Sequence, residues 1–187
     1  MNTRLTIANQ KVPAVSFFSR LFGTQSDPSD ALRPLWFRVV EISRLPEYYA
    51  KSGVADSIDG RFDMVVNVLA ITLLRMEKSR SLARKSALLT ELFVDDMDGQ
   101  LRESGVGDIV VGKHIGKLMA ALGGRIGALR TAFESNGTDE LASVLERNVH
   151  WREDGGDSAG LAARLLALKE DLASRSDEDL LAGRIAQ

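Results

Sequence analysis

Apolar residues recur every three to four positions along most of the chain, which is the spacing of helices that bury one face. Sustained apolar/polar alternation, typical of half-buried strands, does not occur. The pattern predicts helices over residues 30–42, 61–76, 81–98, 109–133, 138–145, 161–172 and 177–185, with a short helical turn at 47–50. We therefore expect an all-α fold, a single compact multi-helix domain of about seven helices over residues 29–187.

Residues 1–28 are predicted to form a flexible N-terminal arm and linker. The first 26 residues contain three basic residues and no acidic ones, and Val15, Phe18, Leu21 and Phe22 fall on one face of a short helix. Three interpretations remain open for the arm: a frayed segment that docks a few apolar side chains, a weak interfacial membrane anchor, or an organelle transit sequence.

Residues 61–76 are apolar almost all the way round the predicted helix, which indicates a central and deeply buried element. The longest apolar run, 64–74, is interrupted by Asn67 and Thr72. It is also shorter than the roughly 18–20 residues that a membrane-spanning helix needs. No membrane-spanning segment is predicted.

The predicted helix 109–133 has three different faces at about 100° per residue. The apolar face consists of Ile115, Leu118, Met119, Leu122, Ile126, Leu129 and Phe133. The small-residue face consists of Gly112, Gly116, Ala120, Gly123 and Gly127. The basic face consists of Lys113, His114, Lys117 and Arg125.

The small-residue face needs an explanation, because each glycine inside a helix costs about 0.5–1 kcal/mol relative to alanine. One interpretation is a close internal crossing with another helix of the same domain. The other is an open groove in which an apolar segment of a partner packs near the backbone, as helices with small-xxx-small faces allow.

Charge is almost balanced overall, with 24 basic and 26 acidic residues, but it is segregated along the chain. Residues 75–85 carry a net +4, residues 91–108 a net −5 and residues 113–130 a net +4. Such blocks form solvated faces, pair with each other or offer complementary charge to a partner. The near-neutral total argues against direct DNA binding, which calls for a clearly basic surface.

The residue inventory leaves little room for catalysis. There is no cysteine, only His114 and His150 are present, and no nucleophile elbow, phosphate-binding loop or HExxH motif occurs. No cofactor is predicted. An alternative function is a helical isoprenoid- or quinone-handling enzyme that binds magnesium through Asp95, Asp96 and Asp98, although no second aspartate-rich helix completes such a site.

Two sequence blocks carry a family resemblance. They are RLPEYYAKSGVADSIDGRFD at residues 44–63 and LFVDDMDGQLRESGVGDIVVGK at residues 92–113. In this order they resemble the ubiquinol–cytochrome c chaperone family, and the similar region extends over about residues 32–149. The most specific motif is DMDxxLRExGVGD at 96–108. The chain departs from the family pattern at Asn67-Val68, where Leu-His is expected, and at Gly123, where an aromatic residue often precedes Gly-Arg.

The resemblance implies a non-catalytic assembly chaperone for the ubiquinol–cytochrome c reductase (bc1) complex, with cytochrome b or another bc1 subunit as its client. It also implies a bacterial cytoplasmic location, peripheral at the inner membrane, or the matrix side of the membrane in a mitochondrion. The ribosome and a second assembly factor are further candidate partners. A generic protein-interaction adaptor with a different client is a second alternative. Motif positions and the faces of helix 109–133 together suggest the following partner-binding residues: Tyr49, Arg61, Asp96, Asp98, Arg102, Glu103, Lys113, Gly116, Lys117, Gly123 and Arg125.

Overall fold

The computed structural model describes residues 28–103, 108–135 and 138–185, with side chains described throughout except at 101–103 and 108–113. The predicted arm and linker therefore lie outside the described residues apart from Pro28. At this boundary Pro28–Leu32 form a 3-10 helix in which Ser29 and Leu32 are buried. The first α-helix starts directly after it, at Arg33.

The described backbone is mostly helical. Its longer helices are α1 (Arg33–Ser43), α3 (Ile58–Glu77), α5 (Ser86–Glu103), α6 (Asp108–Glu134), α7 (Thr138–Asn148) and α8 (Ser158–Ser174). Its short helices are α2 (Pro46–Ala50), α4 (Arg80–Ala83) and α9 (Asp177–Leu181). Extended pairing in the described ranges is limited to an isolated bridge between Val54 and Trp151. The prediction of an all-α fold is confirmed.

The central element is α3, as its apolar pattern predicts. Ser57 caps its N-terminus by accepting a hydrogen bond from the main-chain nitrogen of Gly60 at 3.2 Å. Every residue from 63 to 73 is buried, and α3 packs against α1, α5, α6 and α8. No helix in the described ranges has the length and apolarity needed to cross a bilayer.

Arg75, near the end of α3, holds the C-terminal segment against the bundle. Its guanidinium donates to the main-chain carbonyl oxygens of Leu172 and Arg175, both at 2.9 Å. It also donates to the carboxylate of Asp177 at 3.1 Å. Since these acceptors lie about 100 residues further along the chain, the last helices are tied directly to the central one.

Candidate functional site

Helix α6 turns one face to the core. Leu122, Leu129 and Ala132 are buried on it, and Ile126 and Phe133 pack against the same core. Four of these five residues belong to the apolar face predicted from the sequence, and Ala132 extends it. The opposite face of α6 is therefore the one available to a partner.

The small-residue face of α6 is exposed. Gly116, Ala120, Gly123 and Gly127 all lie at the surface of the described part of the chain, and a β-carbon added at any of the three glycines would meet no atom of a described residue within 4 Å. No other helix of the described residues therefore crosses closely at these glycines. Packing within the described part of the chain does not offset their cost of about 0.5–1 kcal/mol each. Gly112 lies where side-chain surroundings are not described.

Two exposed side chains, one apolar and one basic, lie beside the small-residue positions. Met119 is a large apolar residue with 42% of its surface exposed, and Lys117 is exposed one turn from the small-residue positions. Methionine is flexible and polarizable, so it adapts to apolar surfaces of different shapes. We call Gly116, Lys117, Met119, Gly123 and Gly127 the open face of α6. Its shallow, apolar centre suits close approach by another helix.

Arg125 turns into the protein and is only 6% exposed. Its Nη2 donates to the carbonyl oxygen of Asn148 at 2.6 Å and lies 3.5 Å from Oδ1 of Asp63. The prediction that Arg125 belongs to an exposed basic face is wrong. At about 100° per residue it falls at the border of the apolar face, where a long side chain can turn inward to a buried carboxylate. Burial lowers the pKa of Arg125, and the nearby Asp63 opposes that shift.

Asp63 is the centre of a polar cluster in which Asp63 and Arg125 are buried and His150 is exposed. Besides its ion pair with Arg125, its Oδ2 accepts a hydrogen bond from the main-chain nitrogen of His150 at 2.9 Å and lies 2.6 Å from Nδ1 of the same residue. The hydrogen bond to Asp63 raises the pKa of His150. The cluster joins α3, α6 and the segment after α7. Sequence reasoning missed it, although an acid inside an apolar helix is a sign that a buried partner is needed.

The two departures from the family pattern lie in different environments. Asn67 and Val68 are both fully buried in α3, so the first departure changes the core. The side-chain amide of Asn67 makes no hydrogen bond to any described residue. Gly123, the second departure, is exposed on the open face of α6. Only the second departure can alter a surface that a partner contacts.

The glycines of the first sequence block shape a loop that pairs with residues 149–157. Gly53 has a φ of +76°, and its carbonyl oxygen accepts a hydrogen bond from Arg152 N at 2.9 Å. Ala55 N donates to His150 O at 2.8 Å. A β-carbon at Gly60 would collide with the carbonyl oxygen of Ala55. These two glycines are therefore required by the backbone geometry of the loop.

This loop forms one wall of a surface pocket, which we call the signature pocket. Its volume is about 630 Å³, and it is lined by Arg44, Pro46, Tyr49, Ala50, Val54, Asp56, Arg61 and Arg152. The Tyr49 hydroxyl donates to the carbonyl oxygen of Ser43 at 2.8 Å, and Arg61 Nε lies 2.6 Å from Oδ1 of Asp56. Burial raises the pKa of Tyr49, and the charge of Asp56 adds to that shift.

The acidic block lies on α5. Asp95 is exposed, whereas Asp96 and Asp98 are half-buried. No group of three or more His, Asp or Glu side chains in the described part of the molecule could hold a metal ion, so the magnesium alternative rests on the sequence alone. Arg102 and Glu103 lie in the part of α5 without described side chains.

The predicted partner-binding residues therefore do not form one surface. Tyr49 and Arg61 line the signature pocket, whereas Gly116, Lys117 and Gly123 lie on the open face of α6. Asp96 and Asp98 lie on α5, and Lys113 falls outside the described side chains.

Comparisons with known proteins reveal the family. A protein-family model described as ubiquinol–cytochrome C chaperone matches residues 50–187. The chain belongs to the ubiquinol–cytochrome c chaperone family. This chaperone is also similar to a solved structure described as the crystal structure of the Cbp3 homolog from Brucella abortus. The two are 32% identical with a TM-score of 0.71, and the match covers 84% of this chain and 91% of that chain. No curated protein sequence matches it significantly.

The resemblance inferred from the two sequence blocks is confirmed. The family match also continues through the tail beyond His150, where sequence reasoning identified no family motif. In this chaperone the tail forms α8 and α9, and Leu161, Leu165, Leu168 and Leu172 are buried. A leucine stripe of this kind is common to many helices, so it contains no distinctive motif.

Proposed function

We propose that this chaperone binds newly made cytochrome b and protects it until it joins the other subunits of the bc1 complex. An assembly role for that complex follows from the family match and from the similarity to the Cbp3 homolog. The family match over residues 50–187 is the observation that carries the proposal. The role needs reversible binding and no catalytic step.

The open face of α6 is the surface that we assign to an apolar segment of the client. Transmembrane helices associate through small residues that let their backbones approach closely. Gly116, Gly123 and Gly127 offer such a surface, and Met119 beside them adapts to the shape of the client. The energetic cost of the exposed glycines is then offset when the client is bound.

The acidic block of α5 is assigned to the loops of the client. Loops of membrane proteins on the cytoplasmic side carry an excess of Lys and Arg. Asp96 and Asp98, together with the neighbouring Glu103, provide complementary charge for such loops. We place the chaperone at the inner membrane as a peripheral protein, on the cytoplasmic side in a bacterium or the matrix side in a mitochondrion. The ribosome and a second assembly factor are proposed as additional partners at the same place.

The test combines client identification with assembly. An epitope-tagged chaperone is cross-linked in cells, purified and analysed by mass spectrometry, where we expect cytochrome b. A deletion strain is complemented with wild type, Gly116→Leu, Gly123→Leu or Ala163→Leu. Ala163 is exposed on α8, so Ala163→Leu is a matched control for adding a leucine to a helix surface. Haem b spectra and ubiquinol–cytochrome c reductase activity of membranes report the assembled complex.

We expect both glycine variants to fold and to lose cytochrome b capture and bc1 assembly, while Ala163→Leu retains both. Normal bc1 assembly in the deletion strain would contradict the proposed function. Capture of an identified protein unrelated to the bc1 complex would favour the adaptor alternative. Equal activity of all three variants would remove the open face of α6 from the client surface.

A further inference from the structure

Three arginines converge on the signature pocket from separate parts of the chain. Arg44 follows α1, Arg61 lies in the first turns of α3, and Arg152 follows α7. Asp56 supplies the one carboxylate among the lining residues. Although the chain has a net charge of −2, this pocket is locally basic.

The arginines differ in how far they are neutralised. Arg61 is paired with Asp56 at 2.6 Å, and Arg152 Nε lies 3.2 Å from Oδ1 of Asp154. Arg44 has no salt bridge to any described residue. Among the described residues, no ion pair engages the Arg44 guanidinium or the outer nitrogens of Arg61 and Arg152, so these groups can bind an anion. Arginine suits phosphate because its planar fork matches two phosphate oxygens at once.

The surroundings of the pocket are apolar enough to touch a lipid surface. Pro46 and Ala50 are exposed in the lining, whereas Val54 is fully buried behind them. Tyr49 adds a half-buried aromatic ring, and tyrosine is a residue type that is enriched at membrane interfaces. Ile58 is 87% exposed at the start of α3. It shares a helix face with Arg61 because the two residues are three positions apart.

We propose that the signature pocket binds the phosphate of an anionic phospholipid headgroup while Ile58 inserts into the surface of the bilayer. Charge attraction and a small apolar insertion are the two contributions that hold peripheral proteins on anionic membranes. This inference rests on the proposed peripheral location and specifies the surface responsible. It concerns a different surface from the open face of α6, so the two proposals can fail separately.

The experiment measures partition of the full chain onto sedimented vesicles. Vesicles of phosphatidylcholine with phosphatidylglycerol are compared with phosphatidylcholine alone, and inorganic phosphate is titrated as a soluble competitor. The variants are Arg44→Ala/Arg152→Ala and Ile58→Ser. Arg147→Ala is the matched control, since Arg147 is an exposed arginine of α7 outside the signature pocket. Circular dichroism and thermal unfolding verify that each variant is folded.

We expect binding only to the anionic vesicles, and weaker binding at high salt. Each removed arginine weakens partition about fivefold, so the double variant loses roughly twenty-five-fold, while Arg147→Ala changes it by less than about twofold. Ile58→Ser weakens vesicle binding, but the concentration of inorganic phosphate that displaces the vesicle binding still present stays the same.

Equal partition of the double variant and the wild type would overturn the proposal. Binding of inorganic phosphate without vesicle binding would also overturn it, by identifying a soluble anion as the ligand. Retained capture of cytochrome b without vesicle binding would overturn the lipid site and leave the client proposal intact.

Discussion

Replacing the exposed glycines of α6 by alanine should stabilise the chaperone. Gly116, Gly123 and Gly127 have helical backbones, and no atom of a described residue lies within 4 Å of where a β-carbon would go. Each Gly→Ala change in such a position is worth about 0.5–1 kcal/mol, so the triple variant should gain about 1.5–3 kcal/mol in free energy of unfolding. For a chain of this size, that corresponds to a rise in Tm of roughly 3–12 °C.

Urea denaturation of the full chain, monitored by far-UV circular dichroism, measures the gain as a shift in midpoint at constant slope. Gly60→Ala is the control within the same protein. Its β-carbon would collide with the carbonyl oxygen of Ala55, so we expect it to lose about 1–3 kcal/mol. The two kinds of glycine should thus respond to the same chemical change with opposite sign.

A triple variant that is less stable than the wild type would refute the reasoning, because it would show that these positions are packed rather than open. The same variants also test the function of the open face of α6. Alanine keeps the surface shallow, so the triple variant should still support bc1 assembly, whereas Gly116→Leu should not. Loss of assembly in the alanine variant without loss of stability would mean that the client approaches closer than a methyl group allows.

Three further predictions concern charged groups. Asp63→Asn should lower the free energy of unfolding by about 3–5 kcal/mol because Arg125 stays buried without its carboxylate; urea denaturation measures the loss, and a change below about 1 kcal/mol would contradict it. Because the pKa of His150 is raised, its contribution to the free energy of unfolding is complete below the ordinary value of 6.5 and disappears as the pH rises through the raised pKa. His150→Ala should flatten that part of the plot of unfolding free energy against pH, and an unchanged plot would contradict the prediction. The pKa of Asp177 is lowered, first by its hydrogen bond from Ser79, so its contribution to the free energy of unfolding is complete above pH 3.8 and is lost as the pH falls through the lowered pKa. Asp177→Asn should lack this loss of stability in acid, and an acid unfolding curve identical to that of the wild type would contradict the prediction.

The helices of this protein could be predicted because their signal is local. The run from 64 to 74 is apolar on almost every side, and the structure buries residues 64–73 and half-buries Leu74 within α3. The faces of α6 also follow largely from angular position, which correctly separates Leu122 and Leu129 from Gly116 and Gly123. Met119, which was predicted on the apolar face, is instead 42% exposed. A periodic pattern determines which side of a helix is apolar without knowledge of its neighbours.

The candidate site was harder to predict because its geometry depends on distant parts of the chain. The signature pocket exists only because the loop after α2 pairs with the segment after α7, about 100 residues away. The angular position of Arg125 predicts that it belongs to the basic face, and only the location of Asp63 on another helix shows that its side chain turns inward. Likewise, the sequence cannot distinguish a close internal helix crossing from an open groove at the small-residue face, because it does not show whether another helix packs against Gly116.

The pair between Asp63 and Arg125 has a consequence for the orientation of α6. A helix can rotate about its axis, and a shift of one residue turns each side chain by about 100°. Any such shift would leave Arg125 away from Asp63 with a buried charge unpaired, which is strongly disfavoured. The pair therefore opposes rotation of α6 about its own axis. Together with the buried leucines of α6, a carboxylate in the centre of the bundle thus favours the orientation in which the glycines face outward, although it lies on the opposite side of that helix from them.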